Sequence, residues 1–330
     1  MALLTRIGLL LGLLLLIALI LWQGAMEVFR LLMDSGWHLL WLPLVWLPYF
    51  LPITESWRYL FRPGEAPGFR HALLATWIGR AVNNTLPVAS IGGEVVKARL
   101  LTIWGYSGIR ASSSVIVDKT VQVIAVVLWG LIGVILLLAL SLDDRLALYA
   151  LGGFGFLTLS AAGLFYFQRA GMFGFLAHHG GKMLKVEGWE GVALSAREVD
   201  ANVYESYLRH RRFVLACLVK AFGLALQTGE VWLGCYLLGH PISIVEAIML
   251  KSLTSTLSDI AFIVPNAYGI QEGLFIALGS LIGLDPAVSL ALSLALRIRD
   301  LLLDPAGLLA LHHFESRHFI KRNGAASGEP

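Results

Sequence analysis

Apolar runs long enough to cross a bilayer recur along this chain from one end to the other, and that recurrence limits the fold more than any motif. Ile7 to Trp22, IGLLLGLLLLIALILW, holds no charge. Inside a hydrocarbon core every backbone N–H and C=O must be satisfied within the protein, which leaves helices and closed barrels. A crossing helix takes about 20 apolar residues and a barrel strand about 10, so runs of this length are helical. They fall at 5–25, 37–55, 114–140, 146–167, 213–238 and 287–311. Hydrophobic residues make up 57% of the chain and charged residues 14%, against about 25% charged in soluble domains. The expectation is an all-α polytopic membrane helix bundle, one integral domain over 1–311, followed by a short tail over 312–330. Arg6 precedes the first run as in a signal peptide, but no clear small-x-small cleavage site follows. It is therefore read as a retained span.

Two further apolar regions, 71–104 and 246–283, are interrupted. Each has a first arm, a break rich in Pro, Gly and Asn, and a second arm too short for a full crossing. Broken backbone at membrane depth survives only inside protein or beside a wet cavity. The natural reading is two re-entrant or discontinuous helical hairpins. The breaks resemble each other. Pro87 to Glu94 reads PVASIGGE and Pro265 to Glu272 reads PNAYGIQE. In both, glutamate follows proline by seven residues and alanine follows it by two.

Lys and Arg placement sets orientation. Segments 56–70 and 168–212 and the tail are rich in them; the connections 24–36, 141–145, 239–245 and 284–286 are poor. With both termini cytoplasmic, every rich segment lies inside, provided that 71–104 enters and leaves on the cytoplasmic side. The second hairpin then enters from outside, and the two units form an inverted pseudo-repeat. Paired interruptions of this kind point to a transporter's binding site. Within 168–212, Ser195 and Glu198 match a capping box, and Val199, Val203 and Tyr207 recur at helical spacing. They predict an amphipathic helix on the inner surface, serving as a topology anchor or as a headgroup contact. Pro43, Pro48 and Pro52 predict a kinked second span.

Ionisable residues inside apolar segments are Glu94, Asp118, Lys119, Lys220, Glu230, Lys251, Asp259, Glu272, Arg297, Arg299, Asp300 and Asp304. A charge at the bilayer centre costs at least about 2.5–3.5 kcal/mol, so these must pair, snorkel or line a wet cavity. Asp118 and Lys119 are explained by a place near a span end, and Lys220 and Lys251 by snorkelling. Arg297, Asp300 and Asp304 share a helix face, as a structural ion-pair ladder or as part of a headgroup path. Glu94 and Glu272 begin second arms, where a carboxylate favours the positive helix end; each is a cap or a ligand for headgroup or proton. Gly8-x3-Gly12 and Gly279-x3-Gly283 match a close-packing motif. Asn83-Asn84-Thr85 matches a glycosylation sequon at membrane depth, where it has no use. The histidine pairs lack partner ligands, so no metal is expected, and no nucleotide or cofactor fingerprint occurs.

The stretch LPVASIGGEVVKARLL with SSSVIVDKTVQVIA at 112–125, and VPNAYGIQEGLFIALG at 264–279, resemble the lysylphosphatidylglycerol synthase transmembrane region, or flippase-like domain, family. The chain looks most like stand-alone members associated with hopanoid biosynthesis. The resemblance implies a bacterial inner-membrane protein that moves a lipid or lipid-linked headgroup between leaflets. It carries the motif acids onto Glu94, Asp118 and Glu272. The aminoacyl-transferase domain of larger members is not expected in the short tail. Candidate substrate-binding residues are Pro87, Gly92, Gly93, Glu94, Asp118, Pro265, Glu272, Arg297 and Asp300. Expected partners are membrane lipids and lipid-biosynthesis proteins, not nucleic acid. The alternative is a membrane-embedded enzyme or an accessory or scaffold subunit of lipid modification.

Overall fold

The computed structural model describes residues 2–86, 92–140, 144–172, 175, 189–260 and 264–327. They form a helix bundle: α1 (Ala2–Trp22), α2 (Ala25–Ser35), α3 (Trp41–Trp46), α4 (Phe50–Arg58), α5 (Phe69–Thr85), α6 (Gly92–Ile103) and α7 (Gly108–Ala139). There follow α8 (Asp144–Arg169), α9 (Trp189–Leu208), α10 (His210–Leu226), α11 (Thr228–Leu237), α12 (Ile244–Ile260), α13 (Ile270–Leu281) and α14 (Pro286–Ser327). No strand occurs among the described residues. The chain is an all-α polytopic bundle, and four helical stretches, at 25–58, 108–139, 151–169 and 210–237, have the length and composition of membrane spans.

Polarity runs outward in the sense expected of a membrane protein. Leu10, Leu11, Leu14, Ile17 and Leu21 of α1 are exposed, while Lys220, Glu230 and Glu272 are sealed inside. The prolines act as expected. A proline supplies no N–H to the helical ladder, and 3₁₀ turns at Gly36–Leu40 and Leu47–Tyr49 separate α2, α3 and α4. Residues 25–35, within the connection expected between the first two spans, form the helix α2, which leads into the second span. The capping box at Ser195 is also overruled: α9 starts at Trp189, so Ser195 lies within it. Val203 and Tyr207 are buried against the core around Val117 and Val121. The α9 helix is thus packed into the bundle along that face. At the far end α14 runs on to Ser327, and Glu315 binds Arg99 of α6.

Both interrupted regions fold as antiparallel hairpins with arms of equal size. The first arms α5 and α12 have 17 residues each, and the second arms α6 and α13 have 12 each. A 12-residue helix is about 18 Å long, well short of the roughly 30 Å hydrocarbon core. The first hairpin is closed by absent side chains. A Cβ on Gly93 would lie 2.0 Å from the Gly79 carbonyl oxygen, so α5 and α6 meet backbone to backbone.

The two units are exchanged across the bundle. The first arm α5 packs on α14, the long helix after the second hairpin; α12 packs on α7, the long helix after the first. Trp77 meets Leu303 and Arg80 meets Asp304 and Asp300, while Gly130 meets Thr256 and Gly133 meets Ser252. Both pairings are antiparallel: the start of α5 lies near Phe314, through His71 and Trp104, and its end meets Asp304 through Asn84. Glu94 meets Lys119, Lys97 meets Asp118 and Thr102 lies beside Gly108, so α6 also runs antiparallel to α7. It follows that α5 and α7 run one way and α12 and α14 the other: the units are inverted, as the sequence predicted.

Candidate functional site

The second hairpin's tip is built by left-handed backbone. Pro265 opens a short 3₁₀ turn, and Asn266 and Ala267 follow with φ of 50° and 47°. Non-glycine residues rarely occupy this region, where it costs of order 1–3 kcal/mol and marks sites held by their surroundings. Here two contacts hold it. Gly269, at φ 75°, approaches the Gly12 carbonyl of α1 so closely that a Cβ would lie 2.5 Å away. The Asn266 carbonyl accepts from the Arg297 guanidinium at 3.3 and 3.4 Å. Glu272 is fully buried and uses both carboxylate oxygens. One accepts the Gly269 N–H at 2.7 Å and so caps α13; the other accepts from Arg297 Nε at 2.6 Å and from Ser293 at 3.3 Å. Arg297 also lies 4.3 Å from the Tyr268 ring centre.

One helical turn along α14 a second network begins. Arg80 of α5 reaches Asp300 and Asp304, each at 2.5 Å. Arg299 donates to Asp300 at 2.9 Å and to Glu230 of α11 at 2.6 Å. Asn84 donates to Asp304 and Asn266 to Asp300, both at 3.1 Å. The guanidiniums of Arg80 and Arg299 lie 4.7 and 4.6 Å from the Trp46 ring centre. Cation–π contacts of this kind are worth about 2 kcal/mol when desolvated. This network ties the tip of one hairpin to the other through Asn266, and joins α5, α11 and α14.

The first hairpin's tip carries a looser version. Gly93 N–H donates to Asn83 Oδ1 at 2.7 Å, and Asn83 Nδ2 donates to Glu94 at 3.0 Å. Lys119 of α7 approaches Glu94 at 3.4 Å. One residue earlier, Asp118 turns to the other side of α7 and binds Lys97 at 2.6 Å and the Lys220 ammonium. Lys97 also sits 4.2 Å from the Trp57 ring centre.

The sequence expectations fare unevenly. Glu272 and Arg297 come together, and Glu94 joins Lys119. The ladder within α14 is overturned: Arg297 pairs across helices with Glu272, and Asp300 and Asp304 pair with Arg80. A helix-to-helix partner with a fork of donors holds a carboxylate better than a neighbour on the same face. Snorkelling is also overturned for Lys220, which is 1% exposed and points inward to Asp118. Gly93 is a packing residue, whose missing Cβ admits the α5 backbone. Gly92 is the first residue of α6. Pro87 lies outside the described residues. Gly12 does pack closely, against Tyr268; Gly283, at φ 79° with open space around it, serves a turn instead. The clearest omission is Arg80. It is an arginine within an apolar arm, the same signal that marked Arg297. Asn83 and Asn84, set aside as a stray sequon, are the amides that brace both acids.

Chemically the arrangement offers carboxylates and cations at helix breaks, braced by amides, in a bundle whose outer faces are apolar. The buried charges are paired across helices, with Glu230 Oε1 left without a hydrogen-bond partner among the described residues. Asp259, exposed, and Lys251, half-buried, stand two turns apart on α12. No curated protein sequence and no solved structure matches the chain. A family model does, over residues 9–304, nearly its whole length, and its description is lysylphosphatidylglycerol synthase TM region. The chain therefore belongs to the lysylphosphatidylglycerol synthase transmembrane region family.

Proposed function

We propose that the protein is a lipid translocase of the bacterial inner membrane, which moves a lipid or lipid-linked polar headgroup between leaflets. Family membership ties the chain to membrane-lipid function. The observation that carries the finer reading is the pair of inverted, short-armed hairpins whose ionic tips adjoin inside an apolar shell. Short broken helices meeting at mid-depth, with their termini at a polar site, are how secondary transporters build a binding site. A headgroup passing between the tips would exchange contacts with Glu94, Lys119, Arg297 and Glu272 while its hydrocarbon body stays in lipid. On this reading the protein works without chemical conversion of its cargo, beside enzymes that make envelope lipids, hopanoids among them, and its termini are cytoplasmic.

Liposomes carrying a labelled lipid in one leaflet test it. The purified protein is expected to speed exchange between leaflets, and Glu94→Gln and Arg297→Ala each to slow it at least tenfold. Transport unchanged in both variants would remove the hairpin tips from the path. A chemically altered lipid with no exchange would make the protein an enzyme of lipid modification instead.

A further inference from the structure

The two Glu–cation pairs are related by more than resemblance. Glu94 meets Lys119 across a separation of 25 residues, and Glu272 meets Arg297 across the same 25. One shift, 272 − 94 or 178 residues, carries Gly92–Ile103 onto Ile270–Leu281 and the start of α7 at Gly108 onto the start of α14 at Pro286. The same shift carries Lys119 onto Arg297. Each glutamate is the third residue of its hairpin's second arm. Each cation sits in the long helix that follows, and the two units are antiparallel.

The pairs nevertheless differ in state. Glu272 and Arg297 meet at 2.6 Å with side chains 0% and 9% exposed. Glu94 and Lys119 are 3.4 Å apart with side chains 21% and 40% exposed. The closed pair has an arginine, which also grips the Asn266 carbonyl and lies on Tyr268. The slack pair has a lysine, a point charge with no fork to fix its direction.

We infer that Glu94–Lys119 and Glu272–Arg297 are two copies of one gate, facing opposite sides of the membrane and released in turn. The structure holds the Glu272 gate shut and the Glu94 gate ajar. Lys119 is thus a gating residue and not a charge placed for convenience at a span end. The inference rests on the translocase reading: a path with both gates open would leak, and one with both shut would carry nothing. Coupling runs through the bundle itself. Arg80 and Asn84, one turn apart at the C-terminal end of α5, grip Asp300 and Asp304 on the helix that carries Arg297, so a shift of one hairpin loads the other.

The test uses the full chain with Cys217→Ala and Cys235→Ala. Cysteine pairs replace Glu94 with Lys119, or Glu272 with Arg297, and a short bifunctional thiol reagent reads each gap. The Glu272 pair is expected to cross-link several-fold faster than the Glu94 pair. Opening the second gate with Arg297→Ala, or more gently with Arg297→Lys, is expected to speed cross-linking at the Glu94 pair, the gentler change by less. Either cross-link should stop lipid exchange in liposomes, and cleavage of the linker should restore it. If cross-linking at the Glu94 pair is indifferent to both Arg297 variants, the gates are independent and the inference falls, even if lipid still crosses. Coupled gates in a protein that moves no lipid would keep the inference and overturn the translocase reading.

Discussion

Replacing Arg80 with glutamine removes the cation that hydrogen-bonds both Asp300 and Asp304. Asp300 keeps Arg299 at 2.9 Å and the Asn266 amide. Asp304 keeps only the Asn84 amide at 3.1 Å, so a carboxylate that is 4% exposed loses its counter-ion. Breaking a buried pair by removing one partner costs about 3–5 kcal/mol, mostly because the other charge is stranded. Arg80 is 16% exposed at its side chain, which admits some water and places the expected loss at the lower end, about 3 kcal/mol. The loss should be repairable. Asp304→Asn in the same chain removes the stranded charge, and the double variant should regain about 1–2 kcal/mol over Arg80→Gln alone. Reversible unfolding of the purified protein in mixed lipid–detergent micelles reads both values. A loss under about 1 kcal/mol, or a double variant no more stable than the single, would refute the network as a buried ionic brace.

Three more outcomes follow from the same contacts. Asp118→Asn should destabilise by about 3–5 kcal/mol, since Lys97 and Lys220 lose their shared carboxylate; adding Lys220→Met should recover part of it in the same unfolding assay. Gly93→Ala should cost about 1–3 kcal/mol or more by overpacking, because the clash is with the Gly79 carbonyl. Gly152→Ala on α8, with open space around it, should be neutral or gain up to about 1 kcal/mol of helix propensity. Outside the spans, the Arg62 guanidinium holds the Glu205 carboxyl below its ordinary range. That contribution is present at neutral pH and lost as pH falls through the lowered pKa. It is small because both groups are exposed, and Glu205→Gln should flatten only the acid limb of the stability–pH curve.

The spans and the hairpins were legible because length and breaks are local properties. A run of apolar residues reports a crossing wherever its neighbours lie, and Pro265 or the Gly92-Gly93 pair reports a break. The inversion was implied by the Lys and Arg placement, and the likeness of the two breaks by Pro87 and Pro265, each seven residues ahead of a glutamate. Pairing was not legible, because it joins helices whose crossing the sequence does not state. Asp300 has Arg297 and Asp304 within one turn, yet its partners are Arg80 and Arg299. Lys220 looked near enough to an interface to snorkel, yet Asp118 of α7 claims it. One signal was present and unused: the cation lies 25 residues after each tip glutamate, which would have named Lys119 together with Arg297.

Thiol labelling in intact spheroplasts tests most directly whether the two hairpins are inverted across the membrane. In the chain with Cys217→Ala and Cys235→Ala, single cysteines replace Arg70 and Tyr106 at the two ends of the first hairpin. Two more replace Ser243 and Gly283 at the ends of the second. A membrane-impermeant maleimide added outside is predicted to label positions 243 and 283 and to miss 70 and 106 until the membrane is opened. Labelling that splits the two ends of either hairpin between the two sides would contradict the account, since that hairpin would cross the membrane instead of returning.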